Sequence, residues 1–183
     1  ARDFVKKFDD VDNFKIYGMN RYEYAFIAEA HKGVVEHDMK AISIAVIDIE
    51  VGSENGFPDP YEANEAITAI TIRYMNGSTL VYGCGDFDNG NKTVTYIKCE
   101  DEYNLCRKFL DDWQESYPDV LSGWNVKFFD VPYLVNRFNR ILGEDSAKKL
   151  SPWGMINERK VYVMNKDIVA YEIMGVATWD YLE

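Results

Sequence analysis

Residues 42–50, ISIAVIDIE, constrain the fold of this chain more than any other segment. Branched apolar residues dominate this run, and its length and composition predict a central β-strand. Asp48 and Glu50 are two residues apart, so the strand period points both carboxylates to the same face. Two like charges on an apolar strand resist burial unless protons or a hard divalent cation neutralise them. The pair is a candidate metal site; the alternative is an exposed strand end where both side chains face water.

The remaining apolar pattern predicts an α/β fold with a mixed sheet. Apolar runs bounded by turn residues predict further strands at residues 66–74, 79–82, 93–97 and 120–124. Apolar side chains at helical spacing predict helices at residues 100–117 and 131–142, and a hairpin is expected around residues 165 and 166. An antiparallel meander followed by a helix, a strand and another helix favours a mixed sheet flanked by helices.

Asp130 follows the predicted strand at residues 120–124 and precedes the next predicted helix. An N-cap role, in which the carboxylate accepts a helix N–H bond, explains this position completely. The same position places a carboxylate at the carboxyl end of a strand, where ligands bind in open α/β sheets. If that strand lies beside residues 42–50, Asp130 approaches Asp48 and Glu50. Three carboxylates would then hold two cations about 4 Å apart, the arrangement used for attack of water on a phosphodiester.

The charge of the chain limits how it can bind a nucleic acid. The formal net charge is -11, and residues 41–120 hold 15 acidic and 5 basic side chains. Such a block repels polyanions unless bound cations or local basic patches intervene. Residues 137–160 are a candidate basic patch, although a solvated helix face and loop explain the same run of charges.

Composition excludes several other classes of protein. Aromatic residues make up 15% of the chain, too many for a disordered acidic tail. No apolar run approaches about 18 residues and no secretory signal is visible, so we predict a cytoplasmic protein without a membrane partner. The three cysteines include no CxxC pair, and motifs of serine hydrolases, P-loop proteins and zinc proteases are absent from the sequence.

Two segments resemble the exonuclease motifs of family B DNA polymerases. DIE at residues 48–50 resembles the Exo I motif, and GWNVKFFD at residues 123–130 resembles the Exo II motif. The similarity is strongest to the replicative polymerases of large tailed bacteriophages, and it extends through residues 57–60, 130–144 and 148–154. A DxE and an NxxxFD in matching strand and helix contexts are together a specific signal.

This resemblance implies a ribonuclease H-like fold: a mixed β-sheet flanked by helices, truncated at the C-terminus, with a small N-terminal appendage. Residues 1–40 would be the end of the polymerase N-terminal domain, and residues 41–183 part of the 3'-5' proofreading exonuclease. That exonuclease would use two divalent cations, Mg2+ or Mn2+, to hydrolyse the 3'-terminal phosphodiester of single-stranded DNA.

The resemblance also assigns roles to residues and partners. The catalytic metal ligands would be Asp48, Glu50 and Asp130. The residues in contact with the single-stranded 3' end of the DNA primer would be Asn125, Phe129 and Phe57. Glu50 would also orient the attacking water. The partners of the parent polymerase would be its palm, fingers and thumb domains and a sliding clamp, in the cytoplasm of an infected bacterial host.

The family's Exo III motif, YxxxD, has no convincing counterpart in this sequence, because it lies downstream of the equivalent of residues 180–182. We therefore expect this fragment to be inactive or weakly active by itself. Two alternatives remain open. One is a non-catalytic ribonuclease H-like scaffold or nucleic-acid-binding module of a polymerase, and the other is an acidic protein-interaction domain.

Overall fold

The computed structural model describes residues 7, 22–34, 36, 38–54, 56–88, 90, 93–163 and 166–182. The chain divides into two compact units, Ala1–Met39 and Lys40–Glu183. In the described part of the first unit, helix α1 spans Tyr22–Ala30. The assignment of residues 1–40 and 41–183 to two polymerase domains stays a prediction.

The second unit places its strands and helices close to the predicted segments and adds one strand, β8, that the pattern did not indicate. Its strands are β1 (Ile44–Val51), β2 (Ile67–Tyr74), β3 (Thr79–Gly83), β4 (Val94–Lys98), β5 (Val120–Gly123), β6 (Ile156–Val163), β7 (Lys166–Ile173) and β8 (Ala177–Asp180). Its α-helices are α2 (Glu102–Glu115) and α3 (Asp130–Leu142), and a 3-10 helix spans Ser146–Leu150. Within the described ranges, no helix has both the length and the apolar character needed to cross a bilayer.

A six-stranded sheet, ordered β4-β3-β2-β1-β5-β8, forms the body of this unit. β1 pairs antiparallel with β2 and parallel with β5, and β5 pairs parallel with β8, which confirms the expected mixed sheet. The expected antiparallel meander is wrong at β4, which runs parallel to β3, because the connection from Gly83 to Val94 is longer than a hairpin turn. β6 and β7 form the predicted hairpin as a separate two-stranded sheet.

The hydrophobic core contains the inward-facing side chains of β1 and the buried faces of α2 and α3. Ile47 and Ile49 of β1 are buried in the same cluster as Phe109 of α2. Asp48 and Glu50 alternate with these isoleucines and are exposed, as the strand period requires. The central strand therefore presents its two carboxylates on the face opposite its contribution to the core.

Arg137 belongs to the core rather than to the basic patch expected at residues 137–160. Its side chain lies on α3 with 7% of the residue exposed, and its Nε and Nη2 atoms each donate to the Glu102 carboxylate at 2.7 Å. Glu102 also accepts a hydrogen bond from the backbone N–H of Ile67 at 2.7 Å. The expected basic patch is wrong at Arg137, because this side chain is buried and therefore does not contribute to the surface. Glu102 supplies the charge partner that a buried arginine needs.

Candidate active site

The parallel pairing of β1 with β5 brings Asp130 to the middle of the sheet. The backbone N–H of Ile49 donates to Oδ1 of Asp130 at 3.1 Å, across 81 residues of sequence. Ile49 lies between Asp48 and Glu50, so the buried Asp130 carboxyl meets β1 at the acidic pair. The expectation that the β5 segment would carry Asp130 toward β1 is confirmed.

The alternative N-cap role of Asp130 is wrong. The N-cap of α3 is Phe129, whose side chain makes no capping bond, and Asp130 is the first residue of the helix. The helix begins one residue earlier than predicted, and the Asp130 carboxyl accepts a hydrogen bond from the Ile49 N–H of β1. The negative charge of Asp48 acts on this carboxyl.

Burial raises the pKa of Asp130 to about 7. The negative charges of Asp48 and Asp180 raise this pKa further, while the hydrogen bond from the Ile49 N–H lowers it. Asp130 is 3% exposed, so little water is available to stabilise its ionised form. Near neutral pH, the carboxyl therefore holds a proton for much of the time when no cation is bound, and a cation that binds there displaces it.

We expect the metal-free chain to lose stability between pH 5 and pH 8. In the unfolded chain Asp130 has its ordinary pKa of 3.8, whereas in the folded chain its pKa is about 7. The folded chain therefore holds the proton more tightly. Loss of this proton on raising the pH therefore favours unfolding, by about 2 kcal/mol over this window. Urea unfolding in EDTA at both pH values measures the change.

The variant Asp130→Asn removes the ionisation and keeps the acceptor for the Ile49 N–H, so its stability should change less with pH. The matched control is Asp111→Asn, because Asp111 is an exposed carboxylate on α2. Equal pH dependence for the unchanged chain and for Asp130→Asn would contradict the assignment of the titration to Asp130.

A second buried carboxylate, Asp180, orders the loop between β5 and α3. Its oxygens accept from the backbone N–H groups of Asn125 at 3.0 Å, Lys127 at 2.9 Å and Leu182 at 2.9 Å. Asn125 has φ 57°, in the left-handed region, where asparagine is tolerated better than most residues. Asp180 thus stabilises the turn that places Asn125 and leads into Asp130.

Asp180 is a residue of this region that the sequence pattern did not indicate. In the sequence, Asp180 is an acidic residue at the end of the short segment ATWD. The pattern of this segment did not predict a strand. This segment, β8, pairs with β5, and the pairing sets Asp180 opposite Gly123, which is far from it in sequence. Only the sheet order reveals that connection.

Two aromatic rings that were expected to contact DNA lie together beside the start of α3. The ring centroids of Phe57 and Phe129 are 5.7 Å apart, and Phe129 is also 5.7 Å from Tyr133. Phe57 is 89% exposed, whereas Tyr133 is buried. The exposed Phe57 could stack on a flat apolar group such as a nucleobase.

The donor chemistry of this region suits a hard divalent cation. Asp48 offers an exposed carboxylate, and its charge acts on the buried carboxyl of Asp130. Among the described residues, however, no group of three or more His, Cys, Asp or Glu side chains has a geometry that would hold a metal ion. Mg2+ is commonly bound by one or two carboxylates together with water and substrate phosphate, so two acidic residues fit such an ion. The assignment of Asp48, Glu50 and Asp130 as metal ligands stays a prediction.

Residues 11–183 match the family described as DNA polymerase family B, exonuclease domain. The chain therefore belongs to the exonuclease domain family of family B DNA polymerases. Similar proteins include the DNA-directed DNA polymerases of Enterobacteria phage T4, 30% identical, and Escherichia phage RB69, 27% identical. Each alignment extends over 209 residues and covers 100% of this chain but only 23% of the relative. The resemblance to phage polymerases is confirmed, and the mixed sheet agrees with a ribonuclease H-like fold.

Proposed function

We propose that this chain carries the carboxylates of a proofreading exonuclease that removes nucleotides from the 3' end of single-stranded DNA. One observation carries the proposal: the buried carboxyl of Asp130 is hydrogen-bonded to β1 between the exposed Asp48 and Glu50. A purely structural role does not require a buried carboxyl beside two further carboxylates on an otherwise largely apolar strand. Membership of the exonuclease family supports this interpretation.

In this proposal the acidic residues would hold two divalent cations, Mg2+ or Mn2+. Bound cations supply positive charge that offsets the carboxylates, attracts the DNA phosphate and lowers the pKa of a bound water. Asp48 would bind from the exposed face of β1 and Asp130 from the start of α3. Glu50, on the same face as Asp48, would orient the attacking water. Asp130 would lose its proton as a cation binds, because ligation requires the ionised carboxylate.

The DNA end would lie against the aromatic pair and the ordered turn. Phe129 and the exposed Phe57 would stack on the terminal bases. Such stacking does not depend on the DNA sequence, because every base has a π-face. Asn125, fixed by Asp180, would donate or accept hydrogen bonds at the same 3' end. With a net charge of -11, bound cations would reduce the repulsion between this chain and a polyanion.

The remaining proposals concern the whole polymerase. The palm, fingers and thumb domains, a sliding clamp and the primer 3' end would be its partners, and the host cytoplasm its location. These proposals rest on the similarity to two phage polymerases, of which this chain covers only 23%.

Calorimetric titration of Mn2+ into this chain at low salt tests the metal site. We expect Asp48→Ala to weaken Mn2+ binding by at least about 10-fold. Loss of a residue that only supports a metal ligand already weakens binding by about that factor, and Asp48 would be a ligand itself. The matched control is Asp111→Ala, which removes one exposed carboxylate from α2 and changes the net charge by the same amount.

Equal binding by the unchanged chain and Asp48→Ala would contradict the metal site. That outcome would favour the alternative function, a non-catalytic module of a polymerase. A loss of binding shared by Asp111→Ala would show that Mn2+ responds only to the total charge.

A further inference from the structure

Side chains along one face of α3 hold the loop between β1 and β2. Four members, here called the α3 clamp, recur at a spacing of three, four and seven residues, which places them on one side of the helix: Tyr133, Asn136, Arg137 and Arg140. They donate to backbone carbonyl oxygens within residues 60–65. A loop that would otherwise present unpaired carbonyls is thus stabilised by one helix.

The clamp is a series of short hydrogen bonds. The donor–acceptor distances are 2.6 Å from Tyr133 Oη to Glu65 O, 2.9 Å from Asn136 Nδ2 to Pro60 O, 2.9 Å from Arg137 Nη1 to Ala63 O and to Asn64 O, and 2.9 Å from Arg140 Nη1 to Glu62 O. Arg140 is exposed, while Arg137 is buried and also paired with Glu102. The two arginines of the clamp therefore differ in how much of the fold depends on them.

The chain between the clamp and Phe57 is stiff. Pro58 and Pro60 each fix their own φ, and each restricts the residue that precedes it. Asp59 closes the turn, because its Oδ1 accepts from the N–H of Tyr61 at 2.7 Å and its carbonyl accepts from the N–H of Ala63 at 2.8 Å. The position of the clamped segment thus limits where Phe57 can lie.

We propose that Asn136 and Arg140 are positioning residues that hold Phe57 beside Phe129 for a single-stranded DNA 3' end. Phe129 directly precedes α3, and Phe57 is connected to the same helix through the clamp, so one rigid helix sets the spacing of both rings. Most of the Phe57 ring is in solvent, so its contact with Phe129 alone restrains it weakly. This inference rests on the proposed function, in which the two rings receive the terminal bases.

The test uses the chain with a fluorescein-labelled oligothymidylate in low salt and Mn2+, followed by fluorescence anisotropy. We expect Phe57→Ala to weaken binding about fivefold or more, as for the loss of one stacked base. Arg140→Ala should weaken binding in the same direction, and Arg140→Lys, which keeps one donor, should weaken it less. The matched control is Arg107→Ala, because Arg107 is exposed on α2 and makes no hydrogen bond or ion pair with any described residue.

A double variant separates positioning from direct contact. If Arg140 acts through Phe57, the variant with both Phe57→Ala and Arg140→Ala binds no more weakly than Phe57→Ala alone. Additive losses would overturn the inference, because Arg140 would then contact DNA itself. NMR supplies a readout without DNA: Arg140→Ala and Asn136→Ala should each weaken the cross-relaxation between the Phe57 and Phe129 rings. Unchanged cross-relaxation would also overturn the inference.

The two levels of the proposal fail in different ways. Unchanged binding by Phe57→Ala would contradict the proposed role of Phe57 at the DNA end and, with it, the positioning role. Weakened binding by Phe57→Ala, with Arg140→Ala indistinguishable from Arg107→Ala, would leave the proposed function standing and overturn only the role of the clamp.

Discussion

Asp130→Asn in a polymerase that carries this chain should lower 3'-5' exonuclease activity on single-stranded DNA by more than about 100-fold. Loss of residues that merely support metal ligands costs about 10 to 100-fold, so loss of a ligand should exceed that range. The amide keeps the volume of the side chain and its acceptor for the Ile49 N–H, but it removes the negative charge that a cation requires. The measurement is the rate of nucleotide release from a labelled oligonucleotide in Mg2+.

Nucleotide incorporation by the same variant should stay within about twofold of the unchanged enzyme, because the substitution preserves the shape of the fold. Asp111→Asn serves as the control for the loss of one charge. Exonuclease activity retained within tenfold would contradict the assignment of Asp130 as a ligand. A parallel loss of incorporation would show instead that the variant is misfolded.

Glu102→Ala should destabilise the chain by about 3 to 5 kcal/mol, the range for removing one partner of a buried ion pair. The substitution leaves the guanidinium of Arg137 buried without its carboxylate, and it also removes the acceptor of the Ile67 N–H. Because this pair joins α2, α3 and the start of β2, its loss should lower the stability of the whole sheet. Urea unfolding at pH 7 measures the effect.

The control is Glu100→Ala, which removes an exposed carboxylate just before α2. Replacing both partners together, by Glu102→Met with Arg137→Leu, should recover much of the stability lost in Glu102→Ala, because no unpaired charge remains. A change below about 1 kcal/mol in Glu102→Ala would contradict a buried, charge-dependent pair.

Local patterns in the sequence were sufficient to predict the central strand and the meeting of Asp130 with it. Alternation along residues 42–50 depends only on the strand period, and the exposed Asp48 and Glu50 follow it. The approach of Asp130 required only that β5 lie parallel to β1, which is common when a helix connects a strand to the sheet. These features are local or depend on a single topological rule.

Features that depend on distant partners could not be predicted in this way. Arg137 looked like a surface charge, because nothing in its neighbourhood indicates that Glu102, 35 residues earlier, lies against it. The parallel β4 depends on the path of a long connection, which the strand pattern does not specify. The sequence left Asp130 either as an N-cap or as a carboxylate near the acidic pair, and the backbone of β1, 81 residues away in sequence, decided between the two.

The hydrogen bonds of Asp180 have a consequence for the order in which the chain is synthesised. The turn at Asn125 receives its acceptor from a residue 55 positions later, at the end of β8. During translation from the N-terminus, β1, β5 and α3 emerge from the ribosome before that acceptor exists. The left-handed Asn125 and the loop that leads into Asp130 therefore lack these bonds until β8 has been made and has paired with β5. The nascent chain would therefore hold β1, β5 and α3 before the loop that leads into Asp130 takes its final shape.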